Sequence, residues 1–521
     1  MQFTSFPFLL LVSLSLLLYY VLPKTYRWWC LLAASYVFYW FAGAECLLFI
    51  LYTTLVTYLT AVCMQRMSDR EKGYLDVHRD DPKEARKAYK AAQKKRRFCV
   101  LTVGLLLGFG MLAVQKYTAF VLSGVNALGA QIKIPDLILP LGISFYTFQS
   151  MGYLIDVYRG KAEAEKNPAK LALFVSFFPQ LLQGPISRFG DLEPQLLEGH
   201  DFSAEGVRAG LARVVWGYFK KVVVADTAMI AVRQLVIEEL AGAYVLLLIL
   251  LYSAVIYGDF TGGIDITIGV SEMFGIKLKE NFDRPFSSKS VKEYWNRWHI
   301  TMGSWFTDYV FYPLSVCRPM QRFSKWSRAH LGQAVGKRLP VYIATAVTWF
   351  LTGLWHGAGW NFIVWGMLNC LIILVSQECQ PLWLKWRTVA PRISQSRGWG
   401  IFQAARTFLL MGLIRSLDCY RDVGLTFRLW GSMLTDWNFG ELLSEGWKNL
   451  GLAGADWVVL AVGILVMFVA SQLGKQGAVR YRLAHRPVWL CALLAVGVAV
   501  ILIFGTYGIG YDAGDFIYVQ F

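Results

Sequence analysis

The chain has 521 residues, of which 56% are hydrophobic and 17% are charged, and its mean hydropathy is +0.43. This composition excludes a string of soluble domains and predicts an all-α polytopic membrane protein with about eleven spans of roughly 20 residues each. Basic residues exceed acidic residues by 16. In a membrane protein such an excess is better explained by cytoplasmic loops than by nucleic-acid binding. We therefore expect no nucleic-acid partner.

The first predicted span covers residues 6–21. It has no basic residue before it and no alanine-type cleavage site after it, which favours an uncleaved helix over a signal peptide. Lys24 and Arg27 follow the span, so the positive-inside rule places the N-terminus outside the cell membrane. Two further spans, residues 27–44 and 48–64, lead back to the cytoplasm.

A strongly basic stretch follows at residues 66–97, with twelve Lys or Arg against six Asp or Glu. The charge predicts a cytoplasmic loop, and the spacing of its charges suits a polar helix at the membrane surface. Anionic lipid is then its electrostatic partner. A solvated loop that only sets the topology is the favoured interpretation, and the lipid-bound helix is the alternative.

Glycine and proline interrupt the next apolar segments, at residues 140–145 and at Pro185 after the short run 171–184. Broken helices leave backbone amides without helical partners, which is tolerable at membrane depth only around a protein-lined or water-filled cavity. The sequence therefore predicts an internal cavity. Residues 214–235 carry Lys220, Lys221 and Asp226 and predict a tilted or surface helix.

Two carboxylates, Asp259 and Asp265, lie in the Gly-rich apolar segment 257–265. Ionisable groups inside a membrane segment are costly and usually functional. We expect them to cap exposed amides of a broken helix, and a direct catalytic role is the alternative. Residues 287–299 mix aromatic side chains with basic ones and predict an interfacial helix on the cytoplasmic side.

The second basic cluster, residues 318–338, has six Lys or Arg and no Asp or Glu, which predicts a cytoplasmic loop. A helical hairpin is predicted after this loop. Residues 339–355 rise from it, Gly357 and Gly359 break the chain, and residues 360–376 descend. His356 is therefore expected at an apex inside the membrane. Further spans are predicted around residues 402–413, 457–470 and 488–504.

Only two of the six histidines are candidates for chemistry, because the other four lie in polar or basic stretches. His356 stands at the break of the hairpin, and His299 follows an aromatic and basic segment at the opposite, cytoplasmic edge. Either one alone could be a structural histidine held by hydrogen bonds. The nine cysteines show no metal-ligand spacing, and no phosphate-binding loop is present, so neither a metal nor ATP is expected.

Six motifs lie at residues 139–148, 153–160, 183–189, 281–282, 295–300 and 353–358. In this order and spacing they resemble motifs of bacterial members of the membrane-bound O-acyltransferase family, in particular the branch that acetylates alginate and other exopolysaccharides. Gly258 stands where relatives commonly carry an aromatic residue, Asn296 where Arg is frequent, and Thr307 where Arg precedes Asp308 and Tyr309.

The resemblance implies a single integral-membrane domain over residues 1–521, built as a ring-like helical bundle. Residues 139–370 would form the catalytic core, and residues 400–521 the C-terminal helices and an aromatic tail. By motif, His356 matches the family's essential histidine and His299 its second one. A neutral imidazole can take the proton of an attacking hydroxyl, and the developing oxyanion needs fixed donors. Trp355, Asn361 or backbone amides near Gly357 are the candidates.

The remaining site residues follow from the same motifs and from charge. Asp259, Asp265 and Asp308 are expected to support the site. Arg297, Lys289, Lys292 and Arg188 are expected to bind the phosphates of the donor, although topology alone would explain the lysines as well. The resemblance implies acetyl-coenzyme A as donor substrate with no bound cofactor, an extracytoplasmic acetyltransferase partner, and a polysaccharide as final acceptor.

Three functional classes remain open at this stage. An O-acyltransferase is favoured, acting on acetyl groups or, as the alternative, transferring D-alanine from a carrier protein toward teichoic acid. A transporter of lipid-linked sugars would also suit broken helices. A bis-histidine haem protein is the third class. The last six residues, 516–521, either dock the partner protein or anchor the chain at the bilayer interface.

Overall fold

The computed structural model describes residues 2–476 and 479–507. All regular secondary-structure elements in these residues are helices, joined by turns and irregular segments. The only β-type pairing in that part is an isolated antiparallel bridge between Phe282 and Trp298. The predicted all-α fold class is therefore confirmed. The aromatic tail at residues 516–521 lies outside the described residues, so its docking role stays a prediction.

Six helices of the described residues are long and apolar enough to cross a membrane. They are Cys46–Val77, Lys83–Ala127, Ala243–Met273, Trp360–Glu378, Gly454–Leu473 and Pro487–Phe504. This set makes the chain a multi-pass membrane protein. The count of about eleven crossings and the ring-like arrangement stay predictions.

Two compact units make up the chain, residues 1–210 with 267–278 and residues 211–266 with 279–521. The helices of the first unit are α1 (Phe6–Val21), α2 (Arg27–Trp40), α3 (Cys46–Val77), α4 (Lys83–Ala127), α5 (Ile143–Arg159), α6 (Pro168–Ser176), α7 (Phe178–Leu181) and α8 (Phe189–Glu198). Helix α9 (Ala204–Tyr218) begins in this unit and ends in the other.

The second unit continues with a π-helical turn, Phe219–Ala225, and a long series of helices. They are α10 (Asp226–Ile237), α11 (Ala243–Met273), α12 (Val291–Arg297), α13 (Ile300–Phe306), α14 (Tyr312–Val316), α15 (Arg318–His356), α16 (Trp360–Glu378), α17 (Gln380–Val389), α18 (Pro391–Ser394), α19 (Arg397–Tyr420), α20 (Val423–Thr435), α21 (Phe439–Ser444), α22 (Gly454–Leu473), α23 (Val479–Ala484) and α24 (Pro487–Phe504). The last residues of α11, from Thr267 on, belong to the first unit.

The basic stretch at residues 66–97 is mostly helical rather than a loop. Helix α3 runs to Val77 and α4 starts at Lys83, so only a short turn separates them. Glu71 and Arg97 form an ion pair of 2.8 Å with side chains only 7% and 15% exposed. Tyr74 stacks on Tyr89 with ring centroids 3.9 Å apart. The prediction of a loop or a surface helix is therefore wrong. This stretch consists of the ends of two long helices, which contact each other.

The break predicted at residues 140–145 is present, because α5 starts only at Ile143. Gly142 has a φ of +69°, and a Cβ there would lie 2.2 Å from the carbonyl oxygen of Leu181. Only glycine fits both the left-handed backbone and this close approach. The hydroxyl of Tyr39 donates to the carbonyl of Leu141 at 3.0 Å. These contacts satisfy part of the backbone that the break exposes.

The second predicted break, before Pro185, is also present as the short helices α6 and α7. Buried amide side chains replace the missing helical hydrogen bonds. Gln149 donates to the carbonyl of Phe174 at 2.7 Å, and Gln180 donates to Gln149 Oε1 at 3.1 Å. Ser187 donates to Gln180 Oε1 at 3.0 Å. This chain of hydrogen bonds provides partners for polar side chains that are buried in an apolar setting.

The second basic cluster, residues 318–338, is likewise helical and forms the first half of α15. Gly332, with a φ of +78° and a ψ of 164°, interrupts the helix inside this stretch. The predicted loop is therefore a kinked helix. After it, α15 and α16 form the predicted hairpin, with His356 as the last residue of α15.

Candidate active site

His299 lies in the short connection between α12 and α13 and is fully buried. Its φ of +49° places it in the left-handed region, which non-glycine residues rarely adopt. Backbone hydrogen bonds hold this conformation: Ile300 N donates to Asn281 O at 3.0 Å, and Asp283 N donates to Arg297 O at 2.9 Å. The strained connection turns the imidazole inward, which is typical of a functional site.

The side chain of Asn281 fixes the tautomer of His299. Asn281 Oδ1 accepts hydrogen bonds from the Thr301 backbone N–H at 3.0 Å and from the Thr301 hydroxyl at 2.9 Å. Because a backbone N–H can only donate, the atom facing it must be the amide oxygen. His299 Nδ1 lies 3.3 Å from the same oxygen and therefore carries the hydrogen. In the neutral ring Nε2 is then the nitrogen with the lone pair.

Burial and the positive charge of Arg415 lower the pKa of His299 to about 3. The imidazole is therefore neutral at physiological pH. A group with so low a pKa is a weak general base, so it is better suited to hold a substrate than to store a proton.

His356 ends α15, and its side chain is 7% exposed. Its imidazole contacts the rings of Trp355 and Trp365, with centroids 4.9 Å and 4.6 Å away. A Cβ at Gly357 would lie 2.1 Å from the ring of Phe362. Any larger residue would push the α15–α16 turn open, so glycine after the histidine is a packing requirement.

Both histidines contact the same indole. The ring of Trp355 lies 5.7 Å from the ring of His299 and 4.9 Å from that of His356, between centroids. The sequence placed His299 at the opposite edge from His356, and this separation is wrong. The bridge between Phe282 and Trp298 folds residues 281–300 back, which carries His299 to the end of the hairpin.

An aromatic cluster packs around the two histidines. Trp295 contacts Trp365 at 5.6 Å and Trp349 at 4.9 Å. Trp295 Nε1 also donates to Asn369 Oδ1 at 3.1 Å, which fixes the ring orientation. Large fixed aromatic side chains exclude water, and charge developing in such a site interacts more strongly with fixed donors.

Asn361, a predicted oxyanion donor, is buried at the start of α16. Its Nδ2 donates to the carbonyl of Leu417 at 3.3 Å, so one of its two N–H groups ties α16 to α19. The amide of Gly357 is engaged as well, since it donates to Gly353 O at 3.3 Å. The structure therefore removes the Gly357 amide from the predicted set of donors. Trp355 and the second N–H of Asn361 stay in it.

Arg415 is a buried cation that sequence analysis missed. It is 5% exposed, and its guanidinium lies 4.3 Å from the centre of the Trp298 ring, the residue before His299. It also donates to the hydroxyl of Tyr294 at 3.4 Å. No local pattern marks it, because it stands in an apolar helix in the part of the chain where motif resemblance is weakest. The signal that could have found it is a basic residue just after the apolar run 402–413.

Asp259 and Asp265 lie in a continuous helix, so the prediction that they cap a broken helix is wrong. Helix α11 runs unbroken through both, and each carboxylate pairs with a lysine instead. Lys221 contacts Asp259 at 2.7 Å and Asp226 at 2.8 Å. Lys220 contacts Asp265 at 2.6 Å.

The network extends from α11 to two neighbouring residues. Arg213 contacts Asp265 at 2.8 Å and Glu280 at 2.5 Å. Phe260, between the two aspartates, contacts the ring of His299 at 4.9 Å. The carboxylates therefore fix the helix that supports His299. They support the site through packing.

The π-helical turn Phe219–Ala225 explains how two consecutive lysines are both buried. A π turn adds a residue to the helical turn and redirects the side chains that follow. The carbonyl of Val222, within this turn, accepts hydrogen bonds from the Thr506 N–H at 3.1 Å and from the Thr506 hydroxyl at 3.0 Å. Such turns are frequent at functional sites.

Three of the four predicted donor-binding residues lie on α12 or in the turn before it. Lys292 is exposed at the start of α12, and Arg297 forms an ion pair with Glu293 at 2.7 Å. Lys289 is exposed in the turn before α12. Arg188 belongs to the first unit, at the residue before α8. Asp308 is exposed on the π-helical turn Thr307–Phe311.

The match to known proteins extends along the whole chain. Residues 165–417 match the model of the membrane-bound O-acyltransferase family. The chain is 30% identical to a probable alginate O-acetylase of Azotobacter vinelandii over 551 aligned positions, covering 100% of both chains. It belongs to the membrane-bound O-acyltransferase family. It is accordingly a membrane-bound acyltransferase, and the predicted family and enzyme class are confirmed.

Two further relatives of this O-acyltransferase differ in their named acceptors. The chain is 32% identical to a peptidoglycan O-acetyltransferase of Helicobacter pylori, over 56% of this chain and 58% of the relative. It is 28% identical to a teichoic acid D-alanyltransferase of Bacillus subtilis, over 52% of this chain and 67% of the relative. The matched family region contains both candidate histidines and ends just after Arg415.

Proposed function

We propose that this acyltransferase takes an acetyl group from acetyl-coenzyme A at the cytoplasmic face and delivers it across the membrane for O-acetylation of an extracellular polysaccharide. An extracytoplasmic acetyltransferase partner completes the transfer. The observation that carries the proposal is the extent of similarity to the probable alginate O-acetylase, which covers 100% of both chains. The location is then the plasma membrane of a bacterium, with the N-terminus outside and the basic helix ends in the cytoplasm.

His356 is the proposed general base. The hydroxyl group that first receives the acetyl group, before the partner passes it on to the polysaccharide, attacks the carbonyl carbon of the acetyl thioester. The imidazole of His356 takes the proton of this hydroxyl as the new C–O bond forms. When the C–S bond breaks, the same imidazole returns this proton to the departing thiolate. Atoms and charge then balance without a metal or a redox partner.

His299 is proposed to hold the donor rather than to move the proton. Its Nδ1–H is committed to Asn281, so Nε2 offers one fixed lone pair toward a hydrogen-bond donor of the substrate. Its pKa of about 3 keeps this lone pair available at neutral pH. Ring contact with Trp355 places this group beside the residue that precedes His356.

The oxyanion of the tetrahedral intermediate needs donors that are already oriented. Trp355 Nε1–H and the second N–H of Asn361 are the proposed donors. A single donor of this kind contributes about 100-fold to 1,000-fold in rate in other acyl-transfer enzymes. The phosphates of coenzyme A are proposed to lie near Lys292 and Arg297 on α12.

D-alanyl transfer from a carrier protein is the second candidate, supported by the match to the teichoic acid D-alanyltransferase over 52% of this chain. The two donors can be compared directly. The purified protein in lipid nanodiscs is incubated with radiolabelled acetyl-coenzyme A and, in a parallel sample, with a carrier protein charged with labelled D-alanine. We expect release of coenzyme A and acetyl transfer only in the first sample. Transfer from the charged carrier alone would contradict the acetyl proposal.

A further inference from the structure

A cavity of about 930 Å³ lies in the second unit between α11, α19 and α22, and neither histidine lines it. One wall is apolar and is built from Leu250, Ala254, Phe408, Met467 and Phe468. The volume is within the usual range for a small-molecule site. No function considered so far uses this cavity.

The apolar wall continues onto lipid-facing surface. Phe468 on α22 is 59% exposed, and Leu250 on α11 is 43% exposed. Both helices are long and apolar enough to span a membrane, so their exposed apolar side chains face acyl chains rather than water. A hydrocarbon tail can therefore enter the cavity sideways from the bilayer.

The other end of the cavity is basic. Arg284, Lys289 and Arg397 line it, and Arg284 is balanced by Asp283 at 2.9 Å. Within residues 2–476 and 479–507, the side chains of Lys289 and Arg397 form no ion pair. The Glu293 carboxylate accepts a hydrogen bond from the backbone N–H of Lys289 at 2.8 Å, and its ion-pair partner is Arg297. Two cationic side chains that form no ion pair, at the mouth of an apolar cavity, match an anionic group on a hydrocarbon chain.

The turn that carries Lys289 is held in place. The carbonyl of Lys289 accepts a hydrogen bond from the Arg406 guanidinium at 2.9 Å. A Cβ at Gly400 would lie 3.4 Å from Lys289 Nζ. The lysine therefore lies across the start of α19, close to Arg397. Both cations are on the side that the charge distribution predicts to be cytoplasmic, where anionic lipids are concentrated.

We propose that this cavity binds an anionic phospholipid of the cytoplasmic leaflet, with its phosphate at Lys289 and Arg397 and an acyl chain along the apolar wall. Coenzyme A is the other phosphate-bearing candidate, but it is polar along most of its length and would leave that wall against polar atoms. The inference does not rest on the proposed function. It gives Lys289 a ligand other than the acyl donor.

A bound lipid would also contact the support of the active site. Phe286 lines the cavity and stacks on Trp298 with centroids 6.2 Å apart. Trp298 is the residue before His299. The lipid would therefore pack against the aromatic cluster that holds this histidine.

The test uses delipidated full-length protein in detergent, titrated with dioleoyl-phosphatidylglycerol or dioleoyl-phosphatidylcholine and followed by native mass spectrometry. We expect selective binding of the anionic lipid. Each basic residue near an anionic lipid contributes about 1 kcal/mol, so Lys289→Gln with Arg397→Gln should weaken that binding about thirtyfold. The matched control is Lys385→Gln with Arg392→Gln, which removes the same charge from exposed residues that do not line the cavity.

A second variant, Ala404→Trp, fills the apolar part of the cavity without changing charge and should also reduce binding of the anionic lipid. Equal affinity for the two lipids, or equal loss in the lysine–arginine variant and its control, would overturn the proposal. Displacement of the bound lipid by coenzyme A would also overturn it and assign the cavity to the donor. A thermal melt of each variant identifies any that fail to fold, and the remaining variant then decides.

Discussion

The imidazole of His299 and the indole of Trp355 are in ring contact, with centroids 5.7 Å apart. Because Trp355 precedes His356 in the chain and contacts its ring at 4.9 Å, one indole joins two histidines that are 57 positions apart (356 − 299). The donor-side histidine and the proposed base thus belong to one site. The predictions below follow from this arrangement.

Replacing Trp355 by Phe keeps an aromatic ring but removes the Nε1–H that is proposed to stabilise the oxyanion. We expect kcat to fall by about 100-fold with little change in the KM for acetyl-coenzyme A, because the lost bond forms only in the transition state. Coenzyme A release measures both constants. Trp399→Phe, a matched loss of one indole next to Trp386, should keep its activity. Equal activity of Trp355→Phe and wild type would remove Trp355 as a donor.

The low pKa of His299 predicts a pH-dependent stability. Between about 6.5, the ordinary value, and the folded value of about 3, the unfolded chain binds a proton that the folded chain does not. Above about pH 6.5, the neutral imidazole has no cost in the free energy of unfolding. Below about pH 6.5, the free energy of unfolding decreases by about 1.4 kcal/mol per pH unit.

His299→Gln removes this titration. Thermal midpoints at about pH 7.5 and about pH 5 should therefore differ more in wild type than in His299→Gln. The same pH dependence in both proteins would contradict the buried, neutral state of His299.

Arg415 contributes a cation over the face of Trp298, 4.3 Å from the ring centre. Arg415→Met removes the charge and leaves a side chain of similar length. We expect a loss of about 2 kcal/mol in stability, the magnitude for a desolvated cation–π contact, together with reduced turnover. Arg387→Met, at an exposed position, is the control and should lower neither. The unfolding free energy in detergent and the acetyl-transfer rate are the two measurements, and unchanged values in Arg415→Met would refute the role.

The ion-pair network predicts an order of effects. Lys221→Met leaves two buried carboxylates, Asp259 and Asp226, without their shared cation, and should cost about 3–5 kcal/mol. Lys220→Met should cost less, because Asp265 keeps its contact with Arg213. Thermal unfolding of the two variants in parallel checks the order. A larger loss in Lys220→Met would show that the network is not organised as its contacts indicate.

Local patterns were sufficient for the hairpin and for the breaks in the first unit. Glycines at 142, 357 and 359 and the prolines mark the ends of apolar runs, and chain breaks depend on residues close in sequence. The position of His356 followed from these signals alone. Its neighbour Trp365 was not predicted, since the contact depends on how closely α15 and α16 pack.

Ion pairs between residues far apart in the chain could not be predicted from the sequence. Asp259 and Asp265 looked like caps of a broken helix, because Gly262 and Gly263 lie between them. In the structure these glycines are helical. Gly262 is needed for close packing between helices, because a Cβ at this position would lie 2.8 Å from the carbonyl oxygen of Gly217. The partners of the aspartates are 45 positions away, for Lys220 and Asp265, and 38 positions away, for Lys221 and Asp259. No periodicity connects such residues.

The central claim is that the imidazole of His356 moves the proton during acyl transfer. The most direct test measures release of coenzyme A from labelled acetyl-coenzyme A by purified His356→Gln, which keeps a polar side chain of similar size, and by His356→Ala. The claim predicts that both variants elute and melt like wild type yet lose turnover by at least about 100-fold. Turnover at the wild-type rate in a folded His356 variant would contradict it.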